Sequence, residues 1–291
     1  MGAVAPFLVF VEGFPMNEES SRRSKLLEML HQSAGLGSRP IGFGVTEPSQ
    51  RPRRVLLVAL PQAEPALAEA AVRAGADALL LATPLDRDGG RAALARIGSA
   101  GAGVPRGLYL EYGPAIPSVA LSSTDGVDFV IARAEEAPLS YLKLDIARGI
   151  AIDDGLPLGL ARSINDLPLD FVLFAPVASA TQTSGMSLRQ MLSLRALAEG
   201  IRKPALLSSV YLRGPEDARV VDDLGIDSLF LDAREAAGSA GTIEALVGLY
   251  RRALDSLGVR ARRPPSDLLP TLPRLHHRPL QEAEPEEPDE E

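Results

Sequence analysis

The sequence of 291 residues contains no cysteine and no tryptophan, and histidine is nearly absent. Without cysteine there can be no disulfide, no thiolate nucleophile and no cysteine-ligated zinc or iron–sulfur site, and we expect a cytoplasmic protein. The histidines are His31, His276 and His277. A Ser–His–Asp relay and a histidine-ligated metal are therefore excluded over the long stretch between the first two.

Lysine is also scarce, occurring at Lys25, Lys143 and Lys203. Lys143 falls in a predicted helix, and Lys203 comes directly before a predicted strand. Neither position is at the end of a strand, so we do not expect a Schiff-base lysine. Carboxylate, tyrosine or arginine chemistry remains, or no chemistry at all.

Long apolar runs are lacking as well, and basic residues cluster only at 51–54 and 260–263. The net charge of −8 gives nucleic acid little to bind, so we expect no nucleic-acid partner. The apolar run within APFLVFVEG (5–13) is too short for a signal peptide or a membrane helix, and we expect no membrane partner. Residues 1–16 are predicted to be a loose extension, or to precede a true start at Met16.

Regular alternation of strands and helices dominates the rest of the chain. Residues 17–53 read as an amphipathic N-terminal helix and a lead-in loop. Eight strand candidates then alternate with helix-length connections over 54–258: RVLLVAL (54–60), DALLLAT (77–83), RGLYLEY (106–112), DFVIARA (128–134), GIAID (149–153), DFVLFAP (170–176), ALLSSV (205–210) and DSLFLDA (227–233). This pattern predicts an α/β fold with a single (β/α)8 TIM-type barrel.

Two further features complete the prediction of the fold. An open doubly wound sheet is the alternative, but LPQAEP after the first strand lacks the glycine-rich G-x-G-x-x-G loop. Residues 259–291 contain seven prolines and end with seven acidic residues in the last ten, which predicts a disordered acidic tail. The histidine pair in this tail is not expected to be a metal site.

A short motif recurs on the even-numbered strands. GADALLL (75–81), GVDFVI (126–131), PLDFVLF (168–174) and GIDSLFL (225–231) each carry an aspartate before an apolar run. The four residues are Asp77, Asp128, Asp170 and Asp227, all at strand starts and therefore at the bottom of the barrel. Barrel chemistry takes place at the other end, so we expect these carboxylates to accept backbone N–H groups as scaffold.

The same alignment points to the top of the barrel. Five residues after each aspartate come Ala82, Arg133, Ala175 and Asp232, which should share one side-chain direction. Strands 4 and 8 lie opposite each other in such a barrel. The Arg133 and Asp232 side chains could therefore frame an anionic or polar ligand, or form a simple salt bridge.

Polar side chains follow most strands and supply the candidates for a site. They are Gln62, Thr83, Glu111, Tyr112, Arg133, Glu135, Asp153, Asp154, Thr181, Thr183, Ser208, Ser209, Tyr211, Arg213, Asp232 and Arg234. Among them we predict Glu111, Asp153 and Arg133 as catalytic and Asp232, Ser208, Ser209, Arg213 and Thr83 as ligand-binding. Glu111, Asp153 and Asp232 would suit Mg²⁺, which takes a few carboxylates and keeps several waters.

Residues 203–233 resemble the end of phosphate-binding (β/α)8 barrels, such as the indole-glycerol-phosphate, histidine-pathway and FMN-dependent families. The matching positions lie in the helix PEDA and in the turn before strand 8: Pro215, Glu216, Asp217, Ala218, Gly225 and Asp227. The resemblance implies the barrel fold and carries over no catalytic residue.

The departures from those families fall on the ligand side. Ser208 and Ser209 replace a glycine pair, while Asp232 and Ala233 replace the Gly-Ser or Gly-Thr turn after strand 8. A carboxylate at that turn repels phosphate. FMN or another phosphate-bearing ligand therefore fits less well than the resemblance alone implies.

Two functional interpretations follow. In the first, the barrel binds a small polar or anionic metabolite at its C-terminal mouth, with metal-assisted lyase or isomerase chemistry as an option. In the alternative, the barrel is catalytically inactive and serves as a scaffold or partner-binding protein. Whether the protein is an enzyme stays open, as does a homo-oligomer. The first interpretation predicts that Arg133, Glu111 and Asp232 line one cavity.

Overall fold

A computed structural model describes residues 24–34, 53–82, 89–98, 100, 103–110, 126–176, 185–226, 228–234, 236 and 238–257. Within these residues eight parallel strands pair in chain order and close into a barrel. The strands are β1 (Val55–Leu60), β2 (Ala78–Ala82), β3 (Arg106–Leu110), β4 (Phe129–Arg133), β5 (Ala147–Ile152), β6 (Phe171–Phe174), β7 (Ala205–Ser208) and β8 (Ser228–Asp232). The predicted (β/α)8 barrel is confirmed.

The connections are helical but vary in length. The α-helices are α1 (Lys25–Ser33), α2 (Pro65–Arg73), α3 (Gly89–Arg96), α4 (Leu158–Ser163), α5 (Leu188–Gly200), α6 (Arg219–Leu224) and α7 (Ala240–Ser256). Short 3₁₀ helices are Leu139–Lys143, Ile164–Asp166, Ser209–Tyr211 and Pro215–Ala218. The connection between β4 and β5 contains a 3₁₀ helix between Pro138 and Leu144 in place of an α-helix. The described helices include none long and apolar enough to cross a membrane.

Strand residues alternate between two apolar clusters, although nearly all are buried. On β1, Val55, Leu57 and Ala59 point into the barrel, whereas Leu56 and Val58 pack under the surrounding helices. Burial on both faces is typical of parallel sheets and explains why the strands read as continuous apolar runs. The described residues all belong to a unit spanning residues 1–258. The predicted tail and the extension 1–16 lie outside the described residues.

The repeated aspartates tie neighbouring strands together at the bottom of the barrel. Asp77 accepts the Leu56 N–H at 2.9 Å, Asp128 accepts the Arg106 N–H at 2.8 Å, and Asp170 accepts the Arg148 N–H at 2.7 Å. Each aspartate also donates its own N–H to the carbonyl of the same partner residue. The predicted scaffold role is confirmed for these three, and Asp227 lies outside the described residues.

The glycine in the motif ends the preceding helix. Gly75 has φ of 104° and Gly225 has φ of 78°, in the left-handed region where only glycine is unstrained. The residues after them, Ala76 and Ile226, donate back to the Ala71 and Val221 carbonyls. The glycine of the motif therefore ends a helix, and the aspartate that follows bonds the start of one strand to the preceding strand.

Helix α1 covers the bottom of the barrel. Leu26 and Leu30 are fully buried in the interior cluster with Val55. The Ser33 hydroxyl lies 3.5 Å from the Ser228 hydroxyl at the start of β8, and Lys25 donates to the Gly103 carbonyl before β3. The helix therefore lies at the end opposite the carboxyl ends of the strands.

Two glycines make room for aromatic rings inside the barrel. Gly107 pairs with Phe129 across β3 and β4, and Gly149 pairs with Phe171 across β5 and β6. A Cβ on either glycine would lie 2.2 Å from the facing ring. The two rings meet edge to face at 6.2 Å between centroids, and such pairs stabilise by about 1 kcal/mol beyond area burial.

Candidate functional site

Charged side chains reach the interior at the top of β4 and β8. Phe129 and Ile131 point into the barrel on β4, so Arg133 continues the inward-facing series. Asp232 continues the series of Phe230 on β8 in the same way. The predicted shared direction is thus borne out by the strand alternation at these two positions, on opposite strands of the barrel.

Asp232 is held by its own loop. Arg234 donates to both carboxylate oxygens of Asp232, at 2.8 and 2.6 Å, and the Arg234 N–H donates at 3.2 Å. The Asp232 N–H donates to the Ser209 hydroxyl of the adjacent loop at 3.0 Å. Asp232 is therefore oriented from two sides and pairs with Arg234 rather than with Arg133.

Tyr109 on β3 brings the two arginines to one place. The Arg133 guanidinium lies near enough to the phenol for its charge to act on the pKa of Tyr109. The Arg234 guanidinium lies 5.8 Å from the centroid of the same ring, a cation–π distance. Burial raises the pKa of the Tyr109 phenol, and the neighbouring Arg133 and Arg234 charges act in the opposite direction. The phenol thus stays protonated at neutral pH between two cations.

Arg133 also reaches across β5. Its Nη1 donates to the Pro176 carbonyl beyond β6 at 3.2 Å, and its Nε lies 3.6 Å from the Glu135 carboxylate. Glu135 is half exposed. A network of Asp232, Arg234, Tyr109 and Arg133 therefore spans the mouth from β8 to β4, and we call these four residues the mouth network.

Two of the other predicted ligand-binding residues, Ser208 and Arg213, bond within their own loops. The Ser208 hydroxyl accepts the Val210 N–H at 3.4 Å and caps a 3₁₀ turn. Arg213 is 65% exposed and forms a two-bond pair with Asp217 at 2.9 Å. Hydrogen bonds from Arg213 lower the pKa of Asp217. Ser209 supports Asp232, whereas Thr83 lies outside the described residues.

Carboxylates after β5 are occupied locally. Asp153 accepts the Gly155 N–H at 2.9 Å, and Asp154 accepts the Tyr211 hydroxyl at 3.2 Å. Burial and the nearby Asp154 charge raise the pKa of Tyr211. Glu111, with Tyr112, Thr181 and Thr183, lies outside the described residues. Across the part of the chain that the structure describes, no three acidic or histidine side chains converge on a metal position.

Two grooves of about 240 and 290 Å³ lie on the outside of the barrel, between the connection after β7 and the end of α7. They share Arg219, Ser256 and Leu257. Neither groove touches Arg133 or Asp232. The predicted common cavity includes Glu111, which lies outside the described residues, so that expectation stays a prediction.

Lys203 occupies the bottom end, as predicted from its position before β7. Its ammonium donates to the Leu167 and Leu169 carbonyls at 3.1 and 2.7 Å. Burial lowers the pKa of this lysine. Its contacts make it a strand-start anchor rather than a residue of the mouth.

Tyr109 is the member of the mouth network that the sequence analysis missed. The signal was present in RGLYLEY, where Gly107 and Tyr109 alternate with residues that pack outward. A tyrosine near the end of an apolar strand is usually interpreted as part of the core. Its contact with Arg234 was also hidden from the sequence, because β3 and β8 are not neighbouring strands.

No family model matches this chain, and no curated protein matches it. Solved structures share its fold. A tryptophan synthase structure from Mycobacterium tuberculosis matches with a TM-score of 0.56 at 16% identity, over 71% of this chain and 94% of that chain. A mutant tryptophan synthase α-subunit from Pyrococcus furiosus matches with a TM-score of 0.51 at 14% identity, over 68% and 97%. At such identities the likeness shows the (β/α)8 fold alone.

Proposed function

We propose that this barrel binds a small anionic metabolite at its C-terminal mouth, with Arg133 and Arg234 as the recognition residues. The observation that supports this most is the convergence of both guanidinium groups on Tyr109. Arginine forks suit carboxylate and phosphate groups, and the mouth is the end where barrels of this fold bind ligands. An anion would replace the half-exposed Glu135 on Arg133, at little cost because an exposed ion pair contributes little.

Lyase or isomerase chemistry is the catalytic form of this proposal. Glu111 and Asp153 are the candidate acid and base, and Arg133 would stabilise negative charge that develops on the bound ligand. Mg²⁺ at Glu111, Asp153 and Asp232 would supply further charge stabilisation. The likeness to tryptophan synthase structures is compatible with a lyase and gives no information about the substrate.

Calorimetric titration of the full chain with inorganic phosphate and with succinate, each with and without Mg²⁺, tests the proposal. We expect at least one anion to bind, and Arg133→Gln to weaken it by about tenfold or more, because a hydrogen bond to a charged group is lost. Arg73→Gln is the matched control, since Arg73 forms an exposed carboxylate pair with Glu244 and is not among the predicted site residues. An equal loss of anion affinity in both variants would contradict the proposal that Arg133 binds the anion.

An inactive barrel is favoured by a different observation. Asp232 occupies the fork of Arg234 on two nitrogen atoms, so the protein itself provides the anion that this arginine binds. If neither phosphate nor succinate binds with or without Mg²⁺, the mouth network is structural. The scaffold interpretation would then replace the metabolite-binding one.

A further inference from the structure

Five exposed leucines lie on one side of the barrel. They are Leu139, Leu158, Leu160, Leu188 and Leu192, which we call the leucine band. Each lies within the first five residues of the helical segment that follows β4, β5 or β6. Because a connection leaves the barrel at the carboxyl end of its strand, the leucine band lies towards the top rim.

Single exposed leucines are ordinary on protein surfaces, but an adjacent group marks an interaction face. Leu188 and Leu192 are four residues apart on α5 and are 72% and 63% exposed. The same helix buries Leu194 and Leu197 against the barrel. The exposed side of α5 is therefore apolar over its first turns, and the Arg195–Glu199 ion pair follows on the same side towards the end of the helix.

The charges that flank the leucine band have opposite signs at its two ends. Glu135 and Glu136 are exposed just before the Leu139 segment, and Arg189 is exposed beside Leu188 on α5. Helix α4 lies between these ends because it connects β5 to β6. Towards the top rim the face thus runs from an acidic end, through exposed leucines, to a basic end. The exposed Lys143 and Arg162 lie near the other ends of their helical segments, away from that rim.

Such a face is complementary to itself. A two-fold axis near α4 would place the acidic end of one copy against Arg189 of the other, and the symmetry would repeat this contact. The leucines of both copies would form the apolar centre, with charges at the rim. We propose that the leucine band is the face through which two copies of this chain form a two-fold symmetric dimer.

Sedimentation velocity of the full chain over a range of concentrations tests this proposal. We expect a dimer, and we expect Leu192→Asp to raise the dissociation constant by about a hundredfold, since a buried charge replaces an apolar contact. Leu249→Asp is the matched control, because Leu249 is 47% exposed on α7, across the barrel from the leucine band. A monomeric wild type, or equal loss in the two variants, would overturn the proposal.

A charge exchange tests the two-fold symmetry itself. Glu136→Arg and Arg189→Glu are each expected to weaken the dimer several-fold, because each creates a like-charge contact at both ends of the face. The double variant restores opposite charges in both contacts and should regain most of the lost affinity. Additive weakening in the double variant would contradict a dimer through this face.

Discussion

The bottom and the top of this barrel use charged residues in different ways. At the bottom, Asp77, Asp128 and Asp170 bind backbone N–H groups of the preceding strand, and α1 covers the opening. At the top, Asp232 binds a side chain two residues away in its own loop. Backbone contacts join strands and cannot be exchanged, whereas a side-chain pair can be replaced by a ligand. Charge at the bottom therefore supports the fold, whereas charge at the top is where the proposed function places the ligand.

The largest effect is expected from Asp77. Asp77→Ala removes the acceptor of the Leu56 N–H and a partner of the buried Arg251, which lies 3.1 Å away. We expect the free energy of unfolding to fall by about 3 kcal/mol, measured by urea denaturation. Asp128 is exposed, so Asp128→Ala should cost only about 1 kcal/mol. An equal loss of unfolding free energy in the two variants would show that the contact of Asp77 with Arg251 does not stabilise the fold.

An intermediate effect is expected from the buried phenols at alkaline pH. Burial raises the pKa of Tyr109 at the mouth, as it does for Tyr211 and Tyr250. The stability from these groups is complete below the unfolded pKa of about 10 and is lost as the pH rises towards the folded values, because the unfolded chain ionises first.

Each such phenol should contribute a slope of up to about 1.4 kcal/mol per pH unit above that point. Urea denaturation between about pH 9 and pH 11 measures this slope, and Tyr109→Phe should make the slope less steep. An unchanged slope in Tyr109→Phe would show that the mouth network leaves this phenol as free to ionise as in the unfolded chain.

The smallest effect on stability is expected from Asp232. Asp232→Asn weakens a partly exposed pair with Arg234, so the free energy of unfolding should change by no more than about 0.5 kcal/mol. Phosphate affinity should rise instead, since Arg234 loses its competing anion. Thermal unfolding and calorimetry measure the two quantities. A loss of stability as large as that of Asp77→Ala would remove the distinction between the two ends.

The sequence predicted the barrel because its local signals agree with one another. In GADALLL the glycine ends a helix, Ala76 is buried, Asp77 clamps the previous strand, and an apolar run follows. Each of these roles depends on residues nearby in the chain or on the neighbouring strand. The position of α1 was beyond such reasoning, since the stripe with Leu26 and Leu30 predicts burial without indicating which end of the barrel is covered.

The site was predictable in direction but not in partners. Counting along the strands gave a shared direction for Arg133 and Asp232, because alternation is regular. The structure shows that this direction is inward. The Asp232–Arg234 pair forms within one loop, whereas the contact of Arg234 with Tyr109 depends on how the barrel curves between β8 and β3. A pattern read along one strand contains no information about that curvature.

The paired glycines and phenylalanines inside the barrel also limit which substitutions this sequence can accept, and in which order. Gly107 cannot gain a methyl group while Phe129 fills the space, and Gly149 is tied to Phe171 in the same way. Across β1 and β2 the larger residue is Leu57 on the odd-numbered strand and the smaller is Ala78. Exchanging the large and the small residue between neighbouring strands therefore requires two substitutions in a fixed order. The aromatic residue must be replaced by a smaller one before the glycine is replaced by a larger one.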